Sequence, residues 1–103
     1  MAYTATEVGR IGTPGGDTLI VYDVSPDGAT GSVTVSDVTY AYPVSVIPLI
    51  EAPGATTDSA IIKAKENATT TNQIDITLWA SSYVAATTYK DFRLLVLGKD
   101  AAI

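Results

Sequence analysis

Asp23 and Asp27 flank the Ser25-Pro26 turn, and two carboxylates so placed could bind Ca²⁺ with help from backbone carbonyls. Calcium takes about six to eight oxygens, so two acids on one turn fall well short of a set. The favoured reading is local. Ser25-Pro26-Asp27-Gly28 is a turn in which Pro fixes φ, Gly relieves strain and the acids cap nearby N–H groups. Gly12-Thr13-Pro14-Gly15-Gly16 has the glycine content of a phosphate cradle. It lacks the Lys and following Ser/Thr of a P-loop, and no helical pattern comes after it, so it reads as a loop. Asn67-Ala68-Thr69 fits the N-glycosylation pattern, but no secretory signal is visible at the start of the chain and the match is assigned no role. Trp79, with Tyr83 and Tyr89 close in sequence, could form an aromatic platform for a partner protein or a sugar. The competing reading packs Trp79 under the Ala80–Thr88 loop as part of the core.

Missing residue types narrow the chemistry further. The 103 residues include no Cys and no His, and eleven acids stand against six bases for a net charge of −5. Disulfides and thiolate zinc sites are thereby excluded. No acid sits in a recognisable motif with a base or nucleophile, so catalysis, a cofactor and a metal site are not expected. Duplex binding needs clustered Lys and Arg, which the sequence does not contain, so no nucleic-acid partner is expected. Its apolar runs are too short to span a bilayer as a helix, and no membrane partner is expected either. Scattered acids of this kind keep β-edges soluble.

These side chains have to be positioned by strands, because the apolar period is two almost everywhere. Residues 1–103 form a single β domain. Tyr3 to Ile11 alternates weakly, with Tyr3, Ala5, Glu7 and Gly9 on one face and Thr4, Thr6, Val8 and Arg10 on the other. Residues 1–11 therefore read as an N-terminal arm or an edge strand. Thr18 to Val24 is nearly continuous in apolar residues, the mark of a strand central in a sheet. Gly31 to Ser36 places Val33 and Val35 inward, and Asp37 to Pro43 reads as a bend or helical turn. Val44 to Glu51 is a strand confined to an edge or a bulge by Pro48, which has no N–H to donate. After a loop at Ala52–Asp58, Ser59 to Glu66 is a further strand. Gln73 to Trp79 is the cleanest amphipathic segment: Ile74, Ile76 and Leu78 in, Asp75, Thr77 and Trp79 out. The last strand runs Tyr89 to Leu97, with 99–103 a short tail. About seven short strands broken every eight to twelve residues predict an all-β antiparallel sandwich or barrel, Ig-like or jelly-roll-like.

The order of these segments resembles small tailed-phage virion proteins. The resemblance lies in Ala2-Tyr3-Thr4-Ala5-Thr6-Glu7-Val8, in Leu19-Ile20-Val21-Tyr22-Asp23-Val24, in the apolar strand Val44 to Ile50, and in Phe92-Arg93-Leu94-Leu95-Val96-Leu97-Gly98. The chain departs from it at Pro48 and at the Gly12–Asp17 break. The resemblance implies a minor capsid or head decoration protein, made in the host cytoplasm and carried on the capsid exterior. Its partners would be the major capsid protein and itself, as a homo-oligomer for which a trimer is one option. It brings no catalytic residue to carry over. Partner contacts are expected at Tyr3, Thr4, Thr6, Val8 and Arg10, at Trp79 and Tyr83, and at Ile103. Residues 2–11 and 99–103 are expected to order on assembly, docking on a neighbour by strand addition. Two other functions compete: a carbohydrate-binding or adhesin-like β-module using the aromatics, and a tail or connector component.

Overall fold

The computed structural model describes residues 2–12, 14–48, 61–80 and 82–101. Among them are seven strands and no helix: β1 (Thr4–Gly12), β2 (Thr18–Ser25), β3 (Thr30–Thr34), β4 (Tyr40–Pro48), β5 (Ile61–Glu66), β6 (Gln73–Trp79) and β7 (Phe92–Lys99). They form a four-stranded sheet in the order β1-β2-β7-β4 and a three-stranded sheet in the order β3-β6-β5. Neighbouring strands are antiparallel throughout. The two sheets stack as an open sandwich, so the barrel alternative drops out. The division matches the immunoglobulin constant-type sandwich, except that the fifth and seventh strands have exchanged places.

Alternation builds the core. Ile20, Tyr22 and Val24 of β2 and Phe92, Leu94 and Val96 of β7 point inward from the larger sheet. Val33 of β3, Val35 just beyond it, and Ile74, Ile76 and Leu78 of β6 meet them from the smaller one. Each such aliphatic side chain, fully removed from water, contributes about 1.5–3 kcal/mol. Ile62 and Ala64 of β5 pack against this cluster, as the period of two in 61–66 requires. Ser59 and Ala60, the first residues of the expected strand there, lie outside the described residues, as does the loop at 52–58.

One end of the sandwich is closed by the start of the chain. Ala2 bridges Ser32 in parallel, and the Tyr3 amide donates to the Ser32 carbonyl at 2.9 Å. The Tyr3 ring, 6% exposed, enters the core and its hydroxyl donates to the Gly28 carbonyl at 2.6 Å. Gly31 makes room for it, since any side chain at position 31 would overlap the Tyr3 ring. The chain then crosses to the larger sheet as β1, whose residues pair with β2 from Thr4↔Ser25 to Gly12↔Thr18. Within the single chain Tyr3 sits in the core and the segment after it pairs along the edge of β2.

Both edges of the larger sheet carry a bulge. In β1 the register shifts between Glu7 and Gly9, and in β4 between Pro43 and Ser45. One extra residue reverses the facing of everything beyond it. Arg10 accordingly lies on the same side as Glu7, not with Thr4 and Thr6 as simple alternation requires, and its guanidinium reaches the Glu7 carboxylate at 2.7 Å. β4 is an edge strand that ends at Pro48, consistent with the missing donor there. Residues 36 and 37 make the turn before it, with Asp37 at a φ of 65°.

Candidate interaction surfaces

With Ile20, Tyr22, Val24, Phe92, Leu94 and Val96 committed to the core, the intervening residues of β2 and β7 must face outward. Those residues are Leu19, Val21, Asp23, Arg93, Leu95, Leu97 and Lys99, all half-buried. The register fixes how they meet: Leu19 lies across from Leu97, Val21 from Leu95 and Asp23 from Arg93. On the flanking strands Ile11 pairs with Leu19, Tyr42 with Leu97, Ser45 with Leu95 and Ile47 with Arg93. The outer face of the larger sheet is therefore an apolar block two strands wide, widened at its edges by Ile11 and Ile47, which are 67% and 47% exposed. An antiparallel sheet with one solvated face normally alternates apolar with polar residues, and this one does not.

Charge brackets the block. At one end Arg93 donates to Asp23 through Nε at 2.8 Å and through the terminal nitrogen at 3.2 Å. At the other end Lys99 Nζ donates to Asp17 at 2.8 Å. The Arg93 hydrogen bonds hold the Asp23 carboxyl below its ordinary value, and the Asp23 carboxylate in turn raises the Arg93 guanidinium. Each pair is neutral in itself, on a chain of net charge −5. The same bond engages the Asp23 carboxylate, one of the two acids flanking the Ser25-Pro26 turn.

The outer face of the smaller sheet has the opposite character. Thr30 lies across from Thr77, Ser32 from Asp75 and Thr34 from Gln73, while Lys63 and Lys65 of β5 face Thr77 and Asp75. Asn67 organises the hairpin between β5 and β6. Its Oδ1 accepts from the amides of Thr69 and Thr70 at 2.9 and 2.7 Å, and its Nδ2 donates to Asp75. The asparagine of the glycosylation-like triplet is therefore a turn residue. Trp79 ends this face, half-buried beside Ile61, and a groove of about 520 Å³ opens next to it between β4 and β5. Pro43, Val44, Val46, Ile62 and Ala64 line that groove with Trp79.

The residues named from sequence as partner contacts fall in three places. Tyr3 is a core residue, and burial, with Asp27 and Tyr89 adding, pushes its hydroxyl up to about 12. Thr4, Thr6 and Val8 are exposed on β1, Val8 at the bulge, and Arg10 is joined to Glu7. Trp79 belongs to the other sheet, and Tyr83 stands 80% exposed at a φ of 64° in the turn beyond it. Ile103 lies outside the described residues. β1 thus gathers Thr4, Thr6 and Val8, while the aromatics stand apart from them. Leu19, Val21, Leu95 and Leu97 were not named, although the unbroken apolar runs 19–22 and 94–97 carried the signal. No family model, no curated protein and no solved structure matches this chain.

Proposed function

We propose that the chain is a non-enzymatic structural protein of a phage virion that decorates or cements an icosahedral head through protein–protein contacts. The observation that supports action by contact is the apolar outer face of the larger sheet, built from Leu19, Val21, Leu95 and Leu97 and bracketed by closed ion pairs. Contiguous apolar surface rimmed by polar groups marks interaction sites. The virion setting rests on the resemblance of the strand segments, and the partner it implies is the major capsid protein. Quantitative mass spectrometry of purified particles tests it, by counting copies of this chain per coat protein. A ratio matching the coat lattice is expected. A handful of copies would move the protein to the tail or connector, and its absence from particles would sink the reading.

A second reading, glycan binding, is favoured by one observation: Trp79 lines an open groove beside Ile62 and Ala64. Trp79 is the chain's single tryptophan, so its fluorescence reports on that groove alone. A saturable shift on adding glycans supports this reading, and an unchanged spectrum across a glycan panel removes it.

A further inference from the structure

The outer face of the larger sheet holds more information than its hydrophobicity. Its charges are sorted by strand. The paired carboxylates, Asp17 and Asp23, lie on the β2 side and their bases, Arg93 and Lys99, on β7, while Asp91, just before β7, accepts from the Ser25 hydroxyl beyond the Arg93 end. Asp17 directly precedes β2, and Lys99 closes β7. Between them Leu19 and Val21 stand on β2 against Leu97 and Leu95 on β7. The paired charges therefore form an acidic column beside a basic one, with an apolar centre common to both.

Such a pattern is complementary to itself in one orientation. A two-fold axis running parallel to the strands, midway between β2 and β7, lays β2 of one copy over β7 of the other. Asp23 then reaches Arg93 of the second copy, and Asp17 reaches Lys99 of the second copy. Leu19 packs on Leu97 and Val21 on Leu95. An axis running across the strands instead stacks acid column on acid column. Stacked sheets lie about 10 Å apart and cross at about 30°, an offset at the face's ends that the long Arg93 and Lys99 side chains span. We propose that the outer face of the β1-β2-β7-β4 sheet is an isologous interface that binds a second copy of this chain, with β2 of each copy over β7 of the other. The proposal rests on reading this face as a protein contact, and it names the partner.

Two features favour a second copy over another protein. A chain of net charge −5 repels its own copies least where acids are matched by bases, and this face matches Asp17 and Asp23 with Lys99 and Arg93. A partner of strong single-sign charge would instead call for an unpaired complement, whereas Asp17 and Asp23 each already hold a base. The size sets the strength. Strand spacing and rise give about 450 Å² per copy, below the roughly 800 Å² per partner of a standard interface. The association is accordingly weak in solution and gains force where many copies are held side by side.

Charge reversal in trans tests the geometry. Asp23→Arg alone places like charges across the axis, and so does Arg93→Asp alone. Mixed together, each supplies what the other lacks at the same end of the face. Sedimentation velocity from about 1 µM to about 1 mM covers the range of a weak dimer. Dimerisation of the unmodified chain is expected, with at least a 100-fold loss of association in each variant and recovery in the equimolar mixture. Failure of the mixture to recover, with both variants folded by circular dichroism, overturns the axis. Should either variant misfold, cysteines serve, because the chain has none of its own. A Val21→Cys chain mixed with a Leu95→Cys chain is expected to be joined as a heterodimer by a short bismaleimide, which spans the ~10 Å between stacked sheets that a direct disulfide cannot, and preferential cross-linking of Leu19→Cys with Val21→Cys would overturn the proposal. A chain that stays monomeric to 1 mM also overturns it. If that monomer still binds particles and Leu95→Asp abolishes the binding, the face remains a protein contact with a different partner. If Leu95→Asp leaves particle binding intact, the reading of the face fails as well.

Discussion

The two outward faces of this sandwich are built by the same rule and look nothing alike. β6, at the centre of the smaller sheet, alternates Ile74, Ile76 and Leu78 inward with Asp75, Thr77 and Trp79 outward. β7, at the centre of the larger sheet, alternates Phe92, Leu94 and Val96 inward with Arg93, Leu95 and Leu97 outward. Inward, the two strands are interchangeable. Outward, β6 shows water what water solvates, and β7 shows leucine. A central strand that is apolar on both sides is what sheets covered on both faces require. The difference teaches that the inner alternation reports the fold of one chain, while the outer residues report what that fold is placed against.

The largest expected effect tests whether the two sides of β7 differ energetically. Leu94→Ala opens the core and is expected to cost about 2–5 kcal/mol by urea denaturation. Leu95→Ala in dilute protein is expected to cost about 1 kcal/mol or less, since the side chain is only half-buried on the outer face. Equal costs would break the contrast between inner and outer faces. Next in size is the anchor that ties the smaller sheet to β1. Tyr3→Phe removes the hydrogen bond to Gly28, and about 1 kcal/mol of stability is expected to go with it. The tyrosine hydroxyl is raised to about 12 in the folded chain, above its ordinary value of 10.0. Its contribution is complete below pH 10 and is lost as pH rises through 12, so Tyr3→Phe is expected to flatten the alkaline loss of stability in that window.

Smaller again is the ion pair that brackets the apolar block. Asp23 titrates below its ordinary value of 3.8, so its contribution is present above that pH and disappears as pH falls through the lower, folded value. Asp23→Asn is expected to flatten the acid limb of the stability curve slightly, because both partners remain partly exposed to solvent. The smallest effect belongs to the polar outer face. Thr77→Val is expected to change stability by no more than about 0.5 kcal/mol and to leave association untouched. A Thr77→Val chain that self-associates more weakly would show that the smaller sheet, too, is a contact surface.

Much of this architecture was legible in the sequence, and the reasons for the rest are local. Thr18–Val24 and Gln73–Trp79 declared themselves because each sits at the centre of a sheet, where the period of two is enforced by core on at least one side. Val33 and Val35 were placed inward for the same reason. β1 was harder. The one sign of the bulge at Val8 is Gly9, a glycine inside a strand pattern, and the bulge turns Arg10 to the side of Glu7. Tyr3 read as a surface contact because a lone aromatic before a weak strand carries no period, and only the space left by Gly31 and the Gly28 carbonyl explains its burial. The interaction surface was written in 19–22 and 94–97 as unbroken apolar runs. Their meaning emerged only once pairing laid Leu19 beside Leu97 and Val21 beside Leu95. Trp79 drew attention because tryptophan is rare here, though rarity says nothing about which face a strand turns outward.

Hydroxyl-radical footprinting tests the central claim most directly, comparing dilute protein with concentrated and particle-bound protein. The account predicts that Leu19, Leu95, Leu97 and Tyr42 lose reactivity on association while Trp79 and Ile61 keep theirs. Unchanged reactivity of the leucines, with protection moving instead to Trp79 and Ile61, would contradict it and transfer the contact to the smaller sheet.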